Sequence, residues 1–116
     1  MRNDKENVIV KLTLEFALEI IEYSELLEEK RKYVIARQML KSGTSIGANA
    51  REAQNAESKA DFIHKMKIAA KEADETEYWL LLCSLAKTYP KNPELLEKLN
   101  VIIKILSKII STSKID

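Results

Sequence analysis

The stretch SKADFIHKMKIAAKEADETEYWLLLC, residues 58–83, decides the fold. Its apolar and small side chains alternate spacings of four and three residues at seven positions: Phe62, Met66, Ala69, Ala73, Thr76, Leu80 and Cys83. This alternation is typical of a helix that packs along one side against other helices. Ser58 and Asp61 stand at the spacing of a capping box, in which Ser58 caps the free amides and Asp61 returns a bond. The pattern predicts a helix over residues 59–86.

Three further amphipathic segments accompany this helix. The apolar period predicts helices over residues 4–27, 33–55 and 93–110, and the last begins at Asn92-Pro93, with Asn92 as cap and Pro93 at the first helical position. The residues after 110 are expected to fray. Four long helices with short connections predict an all-α, antiparallel, up-down-up-down four-helix bundle in a single domain, residues 1–116.

Composition agrees with helices and narrows the class of protein. Two glycines and two prolines in 116 residues are too few for a β-rich fold. The lone cysteine, Cys83, allows no internal disulfide and fits a reducing, cytoplasmic setting. The N-terminus has charged residues where a signal peptide has an apolar run, and the longest apolar run, residues 78–83, is too short to span a bilayer. We therefore expect a cytoplasmic protein with no membrane partner.

Charge is unevenly distributed along the chain. The net charge is +1, but residues 1–30 sum to −4, residues 31–71 to +6 and residues 72–116 to −1. The central segment is therefore basic.

The segment SGTSIGAN, residues 42–49, places two glycines four residues apart inside the second helix. Each glycine costs a helix interior about 1 kcal/mol relative to alanine. Gly43 and Gly47 either break the helix into a loop or let a neighbouring backbone or another subunit approach closely. Close packing is favoured, because the apolar period continues through the segment.

Two stretches, QMLKSGTSIGAN at 38–49 and KEADETEYWL at 71–80, together with Glu52-Ala53, Ser58 and residues 61–63, resemble a known family. The chain is similar, over nearly its whole length, to the four-helix-bundle proteins encoded in intervening sequences of bacterial 23S ribosomal RNA genes. The resemblance implies a left-handed up-down-up-down bundle, a homopentameric ring and a role in binding nucleic acid. Relatives include the accessory proteins of diversity-generating retroelements, which form similar pentamers and partner a reverse transcriptase.

Polar residues of the two stretches are expected to meet at mid-height of the bundle. We predict a shared hydrogen-bonding network, formed with the packing glycines by Ser42, Gly43, Ser45, Gly47, Asn49, Glu72, Glu75 and Thr76. A di-metal site at Glu72 and Glu75 is disfavoured, since such bundles use Glu-x-x-His motifs and the one histidine, His64, lies in none. His64 also lacks the arginine four to six residues before it that HEPN-type ribonucleases carry. We predict no catalytic residue, metal or cofactor.

The basic side chains offer a candidate surface for RNA or DNA. The hypothesis assigns phosphate contacts to Arg37, Lys41 and Arg51 on the second helix and to Lys67 and Lys71 on the third, although a charge row is most often a solvated face. A second hypothesis assigns the oligomer interface to Trp79, Val101 and Ile105, which widen the apolar faces of their helices.

These observations favour a non-enzymatic, ring-forming protein that binds RNA or DNA, as an accessory to a larger nucleic-acid-processing enzyme. The alternative is a protein-interaction scaffold with no nucleic-acid role.

Overall fold

The computed structural model describes residues 4–115, with side chains from Val8 to Lys114. Four helices account for most of this range: α1 (Asp4–Glu29), α2 (Tyr33–Ala53), α3 (Lys59–Leu85) and α4 (Pro93–Ile115). Residues 1–3 and 116 of the predicted domain lie outside the described residues. The all-α four-helix bundle expected from the sequence is confirmed.

Each helix runs antiparallel to the two helices beside it. Neighbouring backbones join α1 to α2, α2 to α3, α3 to α4 and α4 to α1, whereas among the described residues no Cα atoms of α1 and α3, or of α2 and α4, come within 8 Å. The pairs that fix the directions are Thr13 with Gly47, Ile20 with Gly43, Ser42 with Thr76, Glu52 with Lys65, and Glu19 with Lys98. The helices therefore alternate up-down-up-down around a square. The left-handed arrangement of the four helices stays a prediction from the family resemblance.

The core follows the predicted apolar period closely. Six of the seven seam positions on α3, Met66 through Cys83, are buried, and Phe62 is half-buried against them. They meet Phe16, Ile20, Met39 and Ile46, each at most 1% exposed. Burial of each such side chain contributes about 1.5–3 kcal/mol, so this seam supplies much of the stability of the bundle.

The first helix ends two residues later than predicted, in a Schellman-type turn. Arg31 adopts φ 64°, the amide of Lys32 donates to Leu27 O at 2.8 Å, and the amide of Arg31 donates to Glu28 O at 2.9 Å. This left-handed residue satisfies two terminal carbonyls and reverses the chain into α2.

The other helix ends differ in detail from the sequence expectations. Ser58 Oγ accepts from the Asp61 amide at 3.0 Å, as predicted, but the Asp61 carboxylate accepts from the amide of Glu57 at 3.2 Å. The second helix ends at Ala53, two residues early, because residues 54 and 55 form a tighter turn. The third ends at Leu85, one residue early.

The fourth helix begins at Pro93, as predicted, but continues to Ile115. Residues 111–115, which were expected to fray, are helical. Ile109 and Ile110 pack on the core at this end. Lys114 places a positive charge in the last turn, where it interacts favourably with the negative end of the helix dipole.

The α3–α4 connection is fastened to the bundle. Tyr23 Oη donates to Pro90 O at 2.7 Å, and Lys91 Nζ donates to Cys83 O at 2.9 Å near the end of α3. Burial raises the pKa of the Tyr23 phenol far above its ordinary range, and the Cys83 thiol adds to the shift. Burial likewise raises the pKa of Cys83. Both groups are therefore held in their neutral forms at physiological pH.

None of the four helices, over the residues described, contains a stretch long and apolar enough to cross a bilayer.

Candidate nucleic-acid interface and packing centre

The two glycines of α2 remain helical and pack directly against α1. A Cβ at Gly43 would lie 2.8 Å from Ile20 Cγ2, and a Cβ at Gly47 would lie 3.2 Å from the carbonyl oxygen of Thr13. Neither glycine has a positive φ. The loop alternative is therefore wrong, and close packing within the chain explains both glycines.

Thr13, which the sequence analysis did not single out, completes this contact. It is fully buried, and its hydroxyl donates to Ile9 O at 2.7 Å within its own helix. The internal bond leaves a compact surface against which Gly47 fits. A signal existed, since Thr13 is a polar residue at a core position of α1, four residues after Ile9 and three before Phe16.

Ser42 and Thr76 make a buried hydrogen bond of 2.9 Å between α2 and α3. Thr76 Oγ1 also lies 2.7 Å from Glu72 O. A hydroxyl has one proton and a carbonyl oxygen can only accept, so Thr76 donates to Glu72 O and accepts from Ser42. Both hydroxyls are thereby satisfied in the core.

The wider polar network expected from the sequence does not form. Ser45 Oγ donates to Lys41 O at 2.7 Å and Asn49 Nδ2 to Ser45 O at 2.9 Å, both within α2. Glu75 Oε2 accepts from Trp79 Nε1 at 3.1 Å within α3, and Glu72 takes part through its backbone carbonyl. The physical reason is position, since Ser45 and Asn49 are only half-buried and reach the carbonyl one turn back more easily than another helix.

The five predicted phosphate-binding residues are all exposed, but the fold separates them. Arg51 lines the α1–α2 groove beside Val10 and Leu14. Arg37 and Lys41 lie toward the start of α2, whereas Lys67 and Lys71 lie in the first half of α3. Antiparallel packing of α2 and α3 places these two groups in opposite halves of the bundle.

Two exposed lysines of α4 lie at about the same height of the bundle as Lys67 and Lys71. Because α3 and α4 are antiparallel, a residue of α4 lies level with the residue of α3 that is equally far from their connection. Lys104, eleven residues beyond Pro93, is therefore level with Asp74, eleven residues before Leu85. By the same count, Lys108 is level with Ala70. Both lysines are exposed. We call Lys67, Lys71, Lys104 and Lys108 the basic surface. Within the described part of the chain, none of the four makes an ion pair.

The sequence did not predict Lys104 and Lys108 as part of this surface, because the basic segment was defined by the net charge of consecutive residues, 31–71, and both lysines lie outside it. The four-residue spacing of the two lysines indicated that they share one face of α4, but which helix stands beside that face is a tertiary property.

The three predicted interface residues lie on two opposite sides of the square. Val101 is 51% exposed in the groove between α1 and α4, near Glu15 and Glu19. Ile105, one turn further along α4, is half-buried. Trp79 is half-buried on α3 and hydrogen-bonded to Glu75, on the flank that faces α2. Their role in an oligomer stays a prediction.

A catalytic or metal site finds no support in the described residues. They contain no group of three His, Cys, Asp or Glu side chains close enough to hold a metal ion. The grooves are shallow and lined mainly by apolar side chains, as in the α1–α2 groove around Ala17, Thr44 and Ala48.

The comparisons with known proteins agree on one family. The family model for the 23S rRNA-intervening sequence protein matches residues 5–111. A solved structure of a protein of unknown function from the S23 ribosomal protein family of Bacteroides thetaiotaomicron is 44% identical, with a TM-score of 0.86. That match covers 92% of this chain and 98% of the other. Among curated proteins, no sequence matches this chain. The chain therefore belongs to the 23S rRNA-intervening sequence protein family.

Proposed function

We propose that this protein is a non-enzymatic, ring-forming helical bundle that binds RNA or DNA through the basic surface formed by Lys67, Lys71, Lys104 and Lys108. The proposal rests chiefly on one observation: two lysines on each of two adjacent helices are exposed at similar heights, with no ion-pair partner among the described residues.

Phosphate is the ligand class that this arrangement fits best. Lysine ammonium groups act as compact point charges with rotatable donors, and they release condensed counterions when they contact a nucleic-acid backbone. The surface has no exposed aromatic side chain between its lysines on which a base could stack. Binding is therefore salt-sensitive and nearly independent of sequence, and repetition around a ring of several copies strengthens it.

The non-enzymatic part of the proposal is supported by the chemistry of the chain. Its one histidine, His64, is exposed on α3, without the arginine partner that the ribonuclease bundles use. The buried hydroxyls of Ser42 and Thr76 are engaged with each other and with a backbone carbonyl, so neither is presented as a nucleophile. An accessory role beside a larger nucleic-acid enzyme, and a cytoplasmic location, remain part of this proposal.

A salt titration tests the basic surface. Labelled single-stranded and duplex RNA and DNA are titrated with wild-type protein and with Lys104→Gln/Lys108→Gln, and affinity is read by fluorescence polarisation. Each phosphate contact removed lowers the slope of log affinity against log salt by about 0.7–0.9, so the double variant should lose about 1.5 from the slope. The matched control is Lys30→Gln/Lys87→Gln, which removes the same charge from two exposed positions at the other end.

Two results would contradict the proposal. One is the absence of binding by wild-type protein even at low salt, which would favour the protein-interaction scaffold. The other is an equal loss in the two double variants, because net charge rather than this surface would then determine binding. The exposed apolar side chains of α1 and α3 are the observation that favours a scaffold role.

A further inference from the structure

Two strips of apolar side chains face outward from the bundle. The α1–α2 strip comprises Leu14, Ala17, Leu18 and Ile21 on α1 with Leu40 on α2; its four larger members are 37–56% exposed. The α3 strip comprises Tyr78, Leu81 and Leu85, which are 56%, 44% and 78% exposed. Isolated exposed leucines are ordinary, but a line of them along one helix flank marks a surface that is covered in the working state.

The glycine contact shapes the α1–α2 strip. Because Gly43 and Gly47 let α1 approach closely, the outer groove between these helices is shallow, and Leu14, Ala17, Thr44 and Ala48 line it. Leu40 lies one turn before Thr44 and extends the groove. A shallow groove between two helices accepts the ridge of side chains on a third.

The α3 strip has the form of such a ridge. Tyr78, Leu81 and Leu85 follow spacings of three and four residues on one outward flank of α3. Burial of three large apolar side chains is favourable by about 1.5–3 kcal/mol each before the cost of association.

The charges beside the two strips are complementary. Arg37 and Lys41, one helical turn apart, border Leu40 on the exposed side of α2. Asp74 and Glu77, three residues apart, stand at the corresponding place beside Tyr78 and Leu81 on α3. In the described range none of the four is in an ion pair within the chain. Opposite charge at the rims aligns partners and sets their register.

We infer that the α3 strip of one copy of this chain packs into the α1–α2 strip of the next copy. Helices α1 and α3 occupy diagonal corners of the square, and their outward flanks point in different directions. One copy therefore cannot satisfy both strips, and the contact is head-to-tail. A head-to-tail contact adds copies in one direction until the assembly closes as a ring.

The inference rests on the ring-forming part of the proposed function and changes the role of two residues. Arg37 and Lys41 contact the neighbouring subunit and not phosphate. The basic surface borders this contact, because Lys71 is three residues before Asp74 on α3 and Lys104 is level with Asp74. Lys67 and Lys108 lie furthest from the contact and are the lysines that it leaves open to nucleic acid.

Variants that each block one of the two strips test the contact. Leu18→Glu blocks the α1–α2 strip and Leu81→Glu blocks the α3 strip, and each mass is measured by sedimentation and native mass spectrometry. We expect wild-type protein to be larger than a dimer and each variant to be monomeric. An equal mixture of the two variants should form a dimer at high protein concentration, because one intact strip of each kind remains. Val8→Lys is the control, since Val8 is 46% exposed and lies two helical turns before Glu15, on the flank of α1 that faces α4, away from both strips, and the variant should keep the wild-type mass.

Charge exchange tests the register. Arg37→Glu/Lys41→Glu and Asp74→Lys/Glu77→Lys should each weaken assembly, and their combination in one chain should restore it. Circular dichroism verifies that each variant is folded. A wild-type monomer, retention of full size by Leu18→Glu or Leu81→Glu, or dissociation by Val8→Lys would overturn the inference. Salt-sensitive binding by a wild-type monomer would leave the nucleic-acid proposal standing while this one fails.

Discussion

Ser42 on α2 and Thr76 on α3 share a hydrogen bond of 2.9 Å that is buried in the bundle core. Thr76 Oγ1 donates a hydrogen bond to Glu72 O at 2.7 Å. The two hydroxyls thus form a short relay of hydrogen bonds between neighbouring helices, and each has a partner although neither is exposed to water.

The relay predicts non-additive mutations. Thr76→Val keeps the side-chain shape but leaves the Ser42 hydroxyl without its acceptor, which should cost about 1–3 kcal/mol. Ser42→Ala leaves Thr76 bonded to Glu72 O and should cost about 1 kcal/mol. The double variant should be more stable than the sum of the two losses implies, since it strands no polar group. Urea unfolding at one fixed protein concentration measures all four corners of the cycle, and strict additivity would contradict the relay.

The glycine contact predicts that alanine destabilises α2 despite its higher helix propensity. Gly47→Ala gains about 1 kcal/mol of propensity but forces a methyl group to 3.2 Å from Thr13 O, and overpacking of this kind costs about 1–3 kcal/mol. Gly43→Ala should cost more, because the methyl would lie 2.8 Å from Ile20 Cγ2. Thermal and urea unfolding measure both changes.

A second substitution separates packing from propensity at Gly43. Ile20→Ala removes the γ carbons that the new methyl would strike, so Gly43→Ala should become neutral or stabilising in that background. Ala48→Gly, at an exposed position one residue beyond Gly47, should show the propensity term alone, a loss of about 1 kcal/mol. A destabilising Gly43→Ala in the Ile20→Ala protein would refute the steric explanation.

Tyr23 predicts a loss of stability at high pH. Its pKa is raised by burial, so the folded protein keeps the phenol proton after the unfolded chain has begun to release it at about pH 10. The unfolded state is then favoured increasingly as pH rises above about 10, whereas below that pH the group has no effect on the slope. Tyr23→Phe removes the hydrogen bond to Pro90 O and should lower the free energy of unfolding by about 1 kcal/mol at neutral pH. Above pH 10, the free energy of unfolding of this variant should fall less steeply than that of wild-type protein. Parallel pH profiles of the two proteins would contradict this assignment.

Ser24 predicts a stabilising mutation. Its hydroxyl is buried, with the residue 3% exposed, and has no hydrogen-bond partner among the described atoms. Ser24→Ala removes an unsatisfied polar group and improves helix propensity, so the unfolding free energy should rise by about 1 kcal/mol. Ser84→Ala is the comparison, because that hydroxyl is exposed and bonded to Leu81 O at 2.8 Å and should give a smaller change. Destabilisation by Ser24→Ala would show that the hydroxyl does have a partner.

The seam of α3 illustrates what could be predicted from the sequence. Helical period, the cap at Ser58 and the proline at position 93 are local properties, and they placed all four helices to within a few residues. The end of α4 escaped prediction because Ser111 and Thr112 have poor helix propensity, while the packing of Ile109 and Ile110 that holds this segment depends on distant helices.

The candidate surfaces divide in the same way. The sequence identified Lys67 and Lys71 as exposed cations of one helix, but it grouped them with Arg37 and Lys41, which antiparallel packing places in the other half. Lys104 and Lys108 could not be joined to the surface until α4 was placed beside α3.

By itself, the sequence determined four amphipathic helices, their order and the family, because periodicity, caps and the motif around Gly43 and Gly47 are written in neighbouring residues. Only the tertiary structure decided that the glycines face Thr13 and Ile20 of α1, that Ser42 meets Thr76, and that basic and apolar surfaces occupy separate parts of α3. The physical reason is that a helix fixes which residues share a face, whereas burial of those faces against one another fixes which faces meet.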